Sequence, residues 1–227
     1  MKIHSNDKLI QRNHKLGNIF SIGALVILAV GLFLPGTEFN TLRMSLALVC
    51  LVVGFMVFQA GNYFLNRWGR SPRPDELVTQ SMKGLDSEYS IFHYETPISH
   101  LLVGPSGVIA LLPYGQNGTL YYDENKKEWK QKGGNFFLKV FGAEGLGRPA
   151  SDARNELRDL ESYLERIGVS AGVAKPDVLV VFTNPKADVQ GEGSPVPYIT
   201  AAKLKDYLRK KAKENMVNTE AILSKIK

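Results

Sequence analysis

The chain predicts an α/β domain with a mixed central sheet, preceded by a pair of helices built to cross a membrane. Three observations predict it. Residues 16–34 (LGNIFSIGALVILAVGLFL) and 44–65 (MSLALVCLVVGFMVFQAGNYFL) carry no charge, and about 20 apolar residues suffice to cross a hydrocarbon core of about 30 Å. Pro35-Gly36 opens the short stretch 35–43 between them, as a turn would. Beyond a polar, Pro-containing linker at 66–74, strand-like runs alternate with helical periodicity through residues 75–227.

The first apolar run is too long for a secretory leader, whose apolar core is roughly 7–15 residues, and no small-x-small cleavage site follows it. Lys2, Lys8, Arg12 and Lys15 lie in the segment 1–15, and Arg67, Arg70 and Arg73 follow the second run. The loop 35–43 holds Arg43 beside Glu38. Basic flanks mark the inner face, so both termini and residues 75–227 are expected in the cytoplasm, with 35–43 outside. Trp68 suits an interfacial anchor. Gly17, Ala24 and Gly31, then Ala47, Gly54 and Gly61, recur at intervals of seven. That spacing keeps small residues on one stripe and lets two helices approach closely. Neither run contains Asp, Glu, Lys, Arg or His, so the hairpin reads as an anchor rather than a transport path. Cys50 is the single cysteine, which excludes an intramolecular disulfide.

In the soluble part, Asp75 and Glu76 open a short helix through Leu85, where negative charge suits a helix N-terminus. YSIFHYE at 89–95 reads as a strand, followed by strands at 98–103 and 108–112 joined by Gly104-Pro105-Ser106-Gly107. Asn117-Gly118 marks another turn before the hairpin TLYYDE and EWKQ, with its tip at 125–127. Residues 133–149 are Gly-rich and read as a long loop carrying a hydrophobic latch of Phe136, Phe137, Val140 and Phe141. Ala150, Ala153, Leu157, Leu160, Leu164 and Ile167 form one helical face that Gly168 closes. VLVVF at 178–182 is a strand buried on both faces. NPKADVQGEGSP reads as loop, Tyr198-Ile199 as a short strand, and Thr200 as the cap of a helix from Ala201 to Lys213.

The net charge of +6 concentrates near the C-terminus, where Lys203, Lys205, Arg209, Lys210, Lys211 and Lys213 crowd one helix. Such a cluster can meet anionic lipid headgroups or a nucleic-acid backbone, or simply solvate a helix face. No phosphate-loop, dinucleotide or zinc-spacing motif is present, and His4, His14, His93 and His100 form no ligand set in sequence.

The element order, with Glu76, Leu85, the run Tyr89 to His93 and ISHLLVGPSGVIALL at 98–112, resembles the nuclease-related domain (NERD) family. The resemblance covers about two thirds of the chain, and SHLLVGPSGV is its most specific element. It implies a restriction-endonuclease-like fold of the PD-(D/E)xK type. That chemistry uses two strand-end acids to bind Mg²⁺ through hard oxygens, and a Lys two residues past the second acid to orient water. The matching positions here are Ser99, Leu112 and Tyr114, with Pro113 between the last two and Asp152 near the family's helical Gln. A hydroxyl, an alkyl group and a phenol replace acid, acid and Lys, so the resemblance implies a degenerate domain without catalysis or cofactor. Such a domain would bind an unknown protein or nucleic acid at the membrane. The alternative is an Mg²⁺-dependent nuclease whose acids have moved to Glu76, Glu95 and His100, with Asp123 and Glu124 further along.

Overall fold

The computed structural model describes residues 1–36, 40–133, 145–214 and 217–226, which form two compact units. The expected hydrophobic latch at Phe136 to Phe141 lies outside the described residues.

In chain order, strand β1 (Lys2–Ser5) is followed by helices α1 (Asp7–Phe33) and α2 (Thr41–Phe64) and one π-helical turn, Leu65–Gly69. Helix α3 (Pro74–Ser81) leads into β2 (Ser90–His93), β3 (His100–Gly104), β4 (Gly107–Tyr114), β5 (Gly118–Asp123) and β6 (Glu128–Lys132). Then come α4 (Pro149–Arg166), the short α5 (Ala171–Ala174), β7 (Pro176–Phe182), β8 (Ala187–Gln190) and β9 (Tyr198–Thr200). Helices α6 (Ala201–Glu214) and α7 (Thr219–Ile226) complete the chain.

The unit built on Asp7–Arg73 is the helical hairpin. Its inward face is the predicted small-residue stripe: Gly17, Ala24 and Gly31 on α1, with Ala47, Gly54 and Gly61 on α2, are buried. A Cβ at Gly31 would lie 2.8 Å from Cys50 Cβ, one at Gly54 2.8 Å from Leu28 Cδ2, and one at Gly61 2.7 Å from Ser21 Oγ. Only hydrogen at these positions permits the spacing. The outward side chains are large, apolar and uncovered, Leu25 and Leu48 each 64% exposed. A soluble helix pair would bury that face. Both helices are long and apolar enough to cross a membrane. Helix α1 starts at Asp7, nine residues before the apolar run, because the polar segment 7–15 continues the same helix. At the far end of α2, Trp68 lies edge-on to Tyr63 and under the Arg67 guanidinium, 5.2 Å from the ring centre.

The other unit comprises Met1–Asn6, Pro74–Gly134 and Gly145–Lys227. Its main sheet runs β1-β2-β3-β4-β7-β9 and is mixed. The β2–β3–β4 meander is antiparallel, whereas β1 on β2, β7 on β4 and β9 on β7 are parallel. Period-two alternation divides its side chains between two cores. Ile91, Leu102, Ile109, Leu111, Leu179 and Val181 pack with α3 and α6 residues such as Val78 and Leu204. Phe92, Leu101, Val108, Ala110, Val180 and Phe182 pack with α4 and α7 residues such as Leu160 and Ile222. Strands β6-β5-β8 form a second, smaller sheet, tied to the first by Trp129, whose ring meets those of Tyr122, Phe182 and Tyr198.

The GPSG turn explains itself in three dimensions. Gly104 pairs with Gly107, so Pro105-Ser106 is a two-residue turn. Gly107 has φ +109°, a conformation open to glycine. A Cβ on Gly104 would lie 2.2 Å from the Tyr89 ring. Gly168 likewise closes α4 with φ +72°, as expected of a C′ residue.

Two strands were not expected. Residues 2–5 lie in the segment read as a plain cytoplasmic tail, yet β1 adds to the sheet edge. Lys2 N–H donates to Tyr89 O at 2.7 Å and Asn6 N–H to His93 O at 3.0 Å. The His4 ring stacks on Phe92 at 4.6 Å. Residues 187–190, read as loop, pair in parallel with β5. The whole hairpin is thus inserted in the crossover between two parallel strands of one sheet, β1 and β2.

Candidate functional site

Of the positions matched by the resemblance, Leu112 and Tyr114 lie on one face of the main sheet, and Asp152 lies on helix α4, which covers that face. The β3–β4 register ends with Leu101 on Ala110, leaving Ser99 one residue before β3 and Leu112 two residues further along β4. By alternation, Leu112 and Tyr114 share the face of Val108 and Ala110, the face covered by α4. From that helix Asp152 accepts a 2.8 Å hydrogen bond from the Tyr114 hydroxyl. Burial first, then the Asp152 carboxylate, pushes the Tyr114 phenol well above its ordinary value. Pro113 lies past the last β3 pair while β4 still pairs with β7, which is how the strand tolerates a residue without an N–H. Of these positions Tyr114 and Asp152, 38 residues apart in sequence, meet directly, and the four present a hydroxyl, an alkyl group, a phenol and one exposed carboxylate.

The relocated acids do not converge. Glu76 lies on α3, Glu95 is exposed in the β2–β3 connection, and His100 is buried at the start of β3. Among the described residues no group of three or more His, Cys, Asp or Glu is placed to hold a metal ion. Asp123 is occupied with its turn: it accepts from the N–H groups of Asn125 and Lys126, both at 3.1 Å, and from Lys130 Nζ at 2.6 Å. Glu124 folds over Gly193, where a Cβ would strike its carboxylate.

The basic helix is less basic in space than in sequence. Lys211 is half-buried in an ion pair with Asp177 and lies 5.9 Å from the Tyr207 ring centre. Arg209 donates to Gly84 O at 3.1 Å, and Lys205 is half-buried. Lys203, Lys210 and Lys213 are exposed, but Asp206 and Glu214 share their side of α6 by the 3.6-residue period. The stripe is a mixed one.

Two features had no sequence signal. An open cavity of about 520 Å³ is lined by Tyr122, Glu124, Lys127, Arg154, Gly193 and Pro195. On the α3 face of the main sheet, His93 and His100 sit directly opposite each other, 2% and 3% exposed. Their Nδ1 atoms are 2.9 Å apart, and His93 Nε2 is 2.8 Å from Thr79 Oγ1. The histidines lie seven residues apart, so only the strand register brings them together.

The fold and these positions define a mixed α/β domain that carries two helices able to cross a membrane. Comparison with protein-family models, with characterised proteins and with solved structures returns no match.

Proposed function

We propose that the chain is a membrane-anchored, catalytically silent domain of the nuclease-related type, acting as a binding module on the cytoplasmic face. The observation that carries this reading is the Tyr114–Asp152 contact at the end of β4, where Leu112 shares the strand face and Ser99 comes just before β3. That is the place where a PD-(D/E)xK-type site would need acid, acid and Lys. An alkyl group offers no metal ligand, a hydroxyl is a poor one, and a phenol held neutral by burial and a carboxylate does not replace an ammonium. The helix–meander–helix–strand order of α3, β2 to β4, α4 and β7 supports the fold part of the reading.

Orientation draws on a second observation. The strand before the hairpin and the sheet after it belong to one unit, which supports the reading that both ends of the hairpin lie on the same side of the bilayer. The Lys and Arg flanks favour the cytoplasmic side.

The test uses the full chain purified in detergent. It should neither bind Mg²⁺ tightly nor cut DNA or RNA. Metal-dependent cleavage that survives purification and disappears in Glu95→Gln would establish the nuclease alternative instead. Reporter fusions within the loop 35–43 and after residue 227 should report opposite sides of the membrane, and agreement between them would overturn the anchor topology.

A further inference from the structure

We propose that His93 and His100 form an acid-sensitive latch that holds the β1–β2–β3 edge of the sheet closed at neutral pH. At 2.9 Å the two Nδ1 atoms share one proton: one ring donates and the other accepts through its lone pair. Either direction leaves His93 Nε2 a workable contact with Thr79, whose hydroxyl donates to it or accepts from it. One further proton is tolerated, because an imidazolium still donates to a neutral neighbour. A second is not. Both Nδ1 atoms would then carry hydrogens aimed at each other, and two cations would meet in a site that excludes water. The closed edge therefore holds at most one added proton, whereas an opened edge takes two.

The surroundings do not lift that limit. The ionisable groups nearby are Tyr94, whose ring lies 5.0 Å from that of His100, Lys2 and His4 on β1, Asp75 and Glu76 on α3, Glu95 in the β2–β3 connection, and Glu220 and Lys225 on α7. A carboxylate favours the first added proton, but with the edge closed each Nδ1 still faces the other at 2.9 Å, which leaves room for a single hydrogen between them. The sign follows from proton counting. Below about pH 5.5, under the ordinary imidazole range, the opened edge binds one proton more than the closed edge. Stability of this edge is present at neutral pH and lost as pH falls, by about tenfold in the closed-to-open ratio per pH unit.

The position of the pair gives the opening its consequence. Ser5 pairs with His93, and Asn6 N–H donates to His93 O at 3.0 Å. Asn6 is the last residue before α1. An edge that opens at His93 releases the strand that leads into the first membrane-length helix. The stimulus is protons alone, and the responding element is β1. The latch stands apart from the nuclease-related positions, which lie on the opposite face of the sheet.

The experiment uses the full chain in nanodiscs, with amide hydrogen exchange and histidine NMR from pH 7.5 to 4.5. Protection of residues 2–5 and 90–93 should fall about tenfold per pH unit below pH 5.5, and the two coupled rings should together gain one proton while the protein stays folded. His100→Gln places an amide oxygen where a charged His93 can donate, and should flatten the slope. His4→Phe and His14→Gln should keep it. Protection that is independent of pH, two fully protonated rings in the folded protein, or a slope lost in His4→Phe would each overturn the latch. If His100→Gln does not fold, the proton count on the unaltered chain decides by itself.

Discussion

Tyr114 holds a phenol on the α4 face of β4, and burial with the Asp152 carboxylate keeps that phenol protonated. Because its folded value is raised, the stability it contributes is fully present below the ordinary tyrosine range near pH 10 and is lost as pH rises beyond it. Ultraviolet titration of the folded chain should show as many tyrosines ionising near pH 10 in Tyr114→Phe as in the parent, the missing tyrosine appearing only at higher pH. The same variant should lower stability by about 0.5–1 kcal/mol in denaturant unfolding, since its partner Asp152 stays in water. Gly104→Ala is a harsher change. Its methyl would lie 2.2 Å from the Tyr89 ring, so a loss of about 1–3 kcal/mol is expected from overpacking, with Ser106→Ala as the milder comparison in the same turn. GPSG announces a turn in sequence, but the need for glycine at its first position comes from Tyr89, a residue that only the folded sheet places there.

Among the elements, the hairpin was legible because a single period describes it. Small residues every seventh position face a partner, and the large apolar side chains between them are uncovered. Gly31→Ile should therefore break the α1–α2 contact, at about 1–3 kcal/mol or by outright loss of hairpin packing, read as protease sensitivity of the loop 35–43. Gly23→Ile meets nothing within 4 Å and should be silent. The strands β2 to β7 were equally legible from alternation, turn residues and the VLVVF run. Strand β1 was not. KIHS is four residues long, alternates weakly and finds its partner more than eighty residues away. His4→Pro removes the ladder donor that alternation places between those of Lys2 and Asn6, together with the ring stacked on Phe92, and should cost at least about 0.5–1.5 kcal/mol, with faster exchange at 90–93 as the specific sign. Strand β8 hid for a similar reason: ADVQ sits within a run of Gly, Pro and Asn that reads as loop, and its partner β5 is supplied by the fold.

At the scale of the whole molecule, the apolar helical hairpin is inserted between two strands of a sheet rather than preceding a domain. A fragment of residues 75–227 lacks β1 and exposes β2 as a bare edge, so it should be less soluble and less stable than the full chain, and should gain from added Met1–Asn6 peptide. No gain in thermal stability with that peptide would mean that β1 contributes nothing to the sheet. By itself the sequence determined the membrane-length helices, their small-residue contact, the α/β class and most strands, because each is a local periodicity or a turn preference within a few residues. Only the tertiary structure decided that β1 joins the sheet, that Tyr114 meets Asp152, that Lys211 is taken up by Asp177, and that His93 faces His100. Each of those depends on register between distant strands or on the rotation of a helix over a sheet, and neither is encoded within any short stretch of chain.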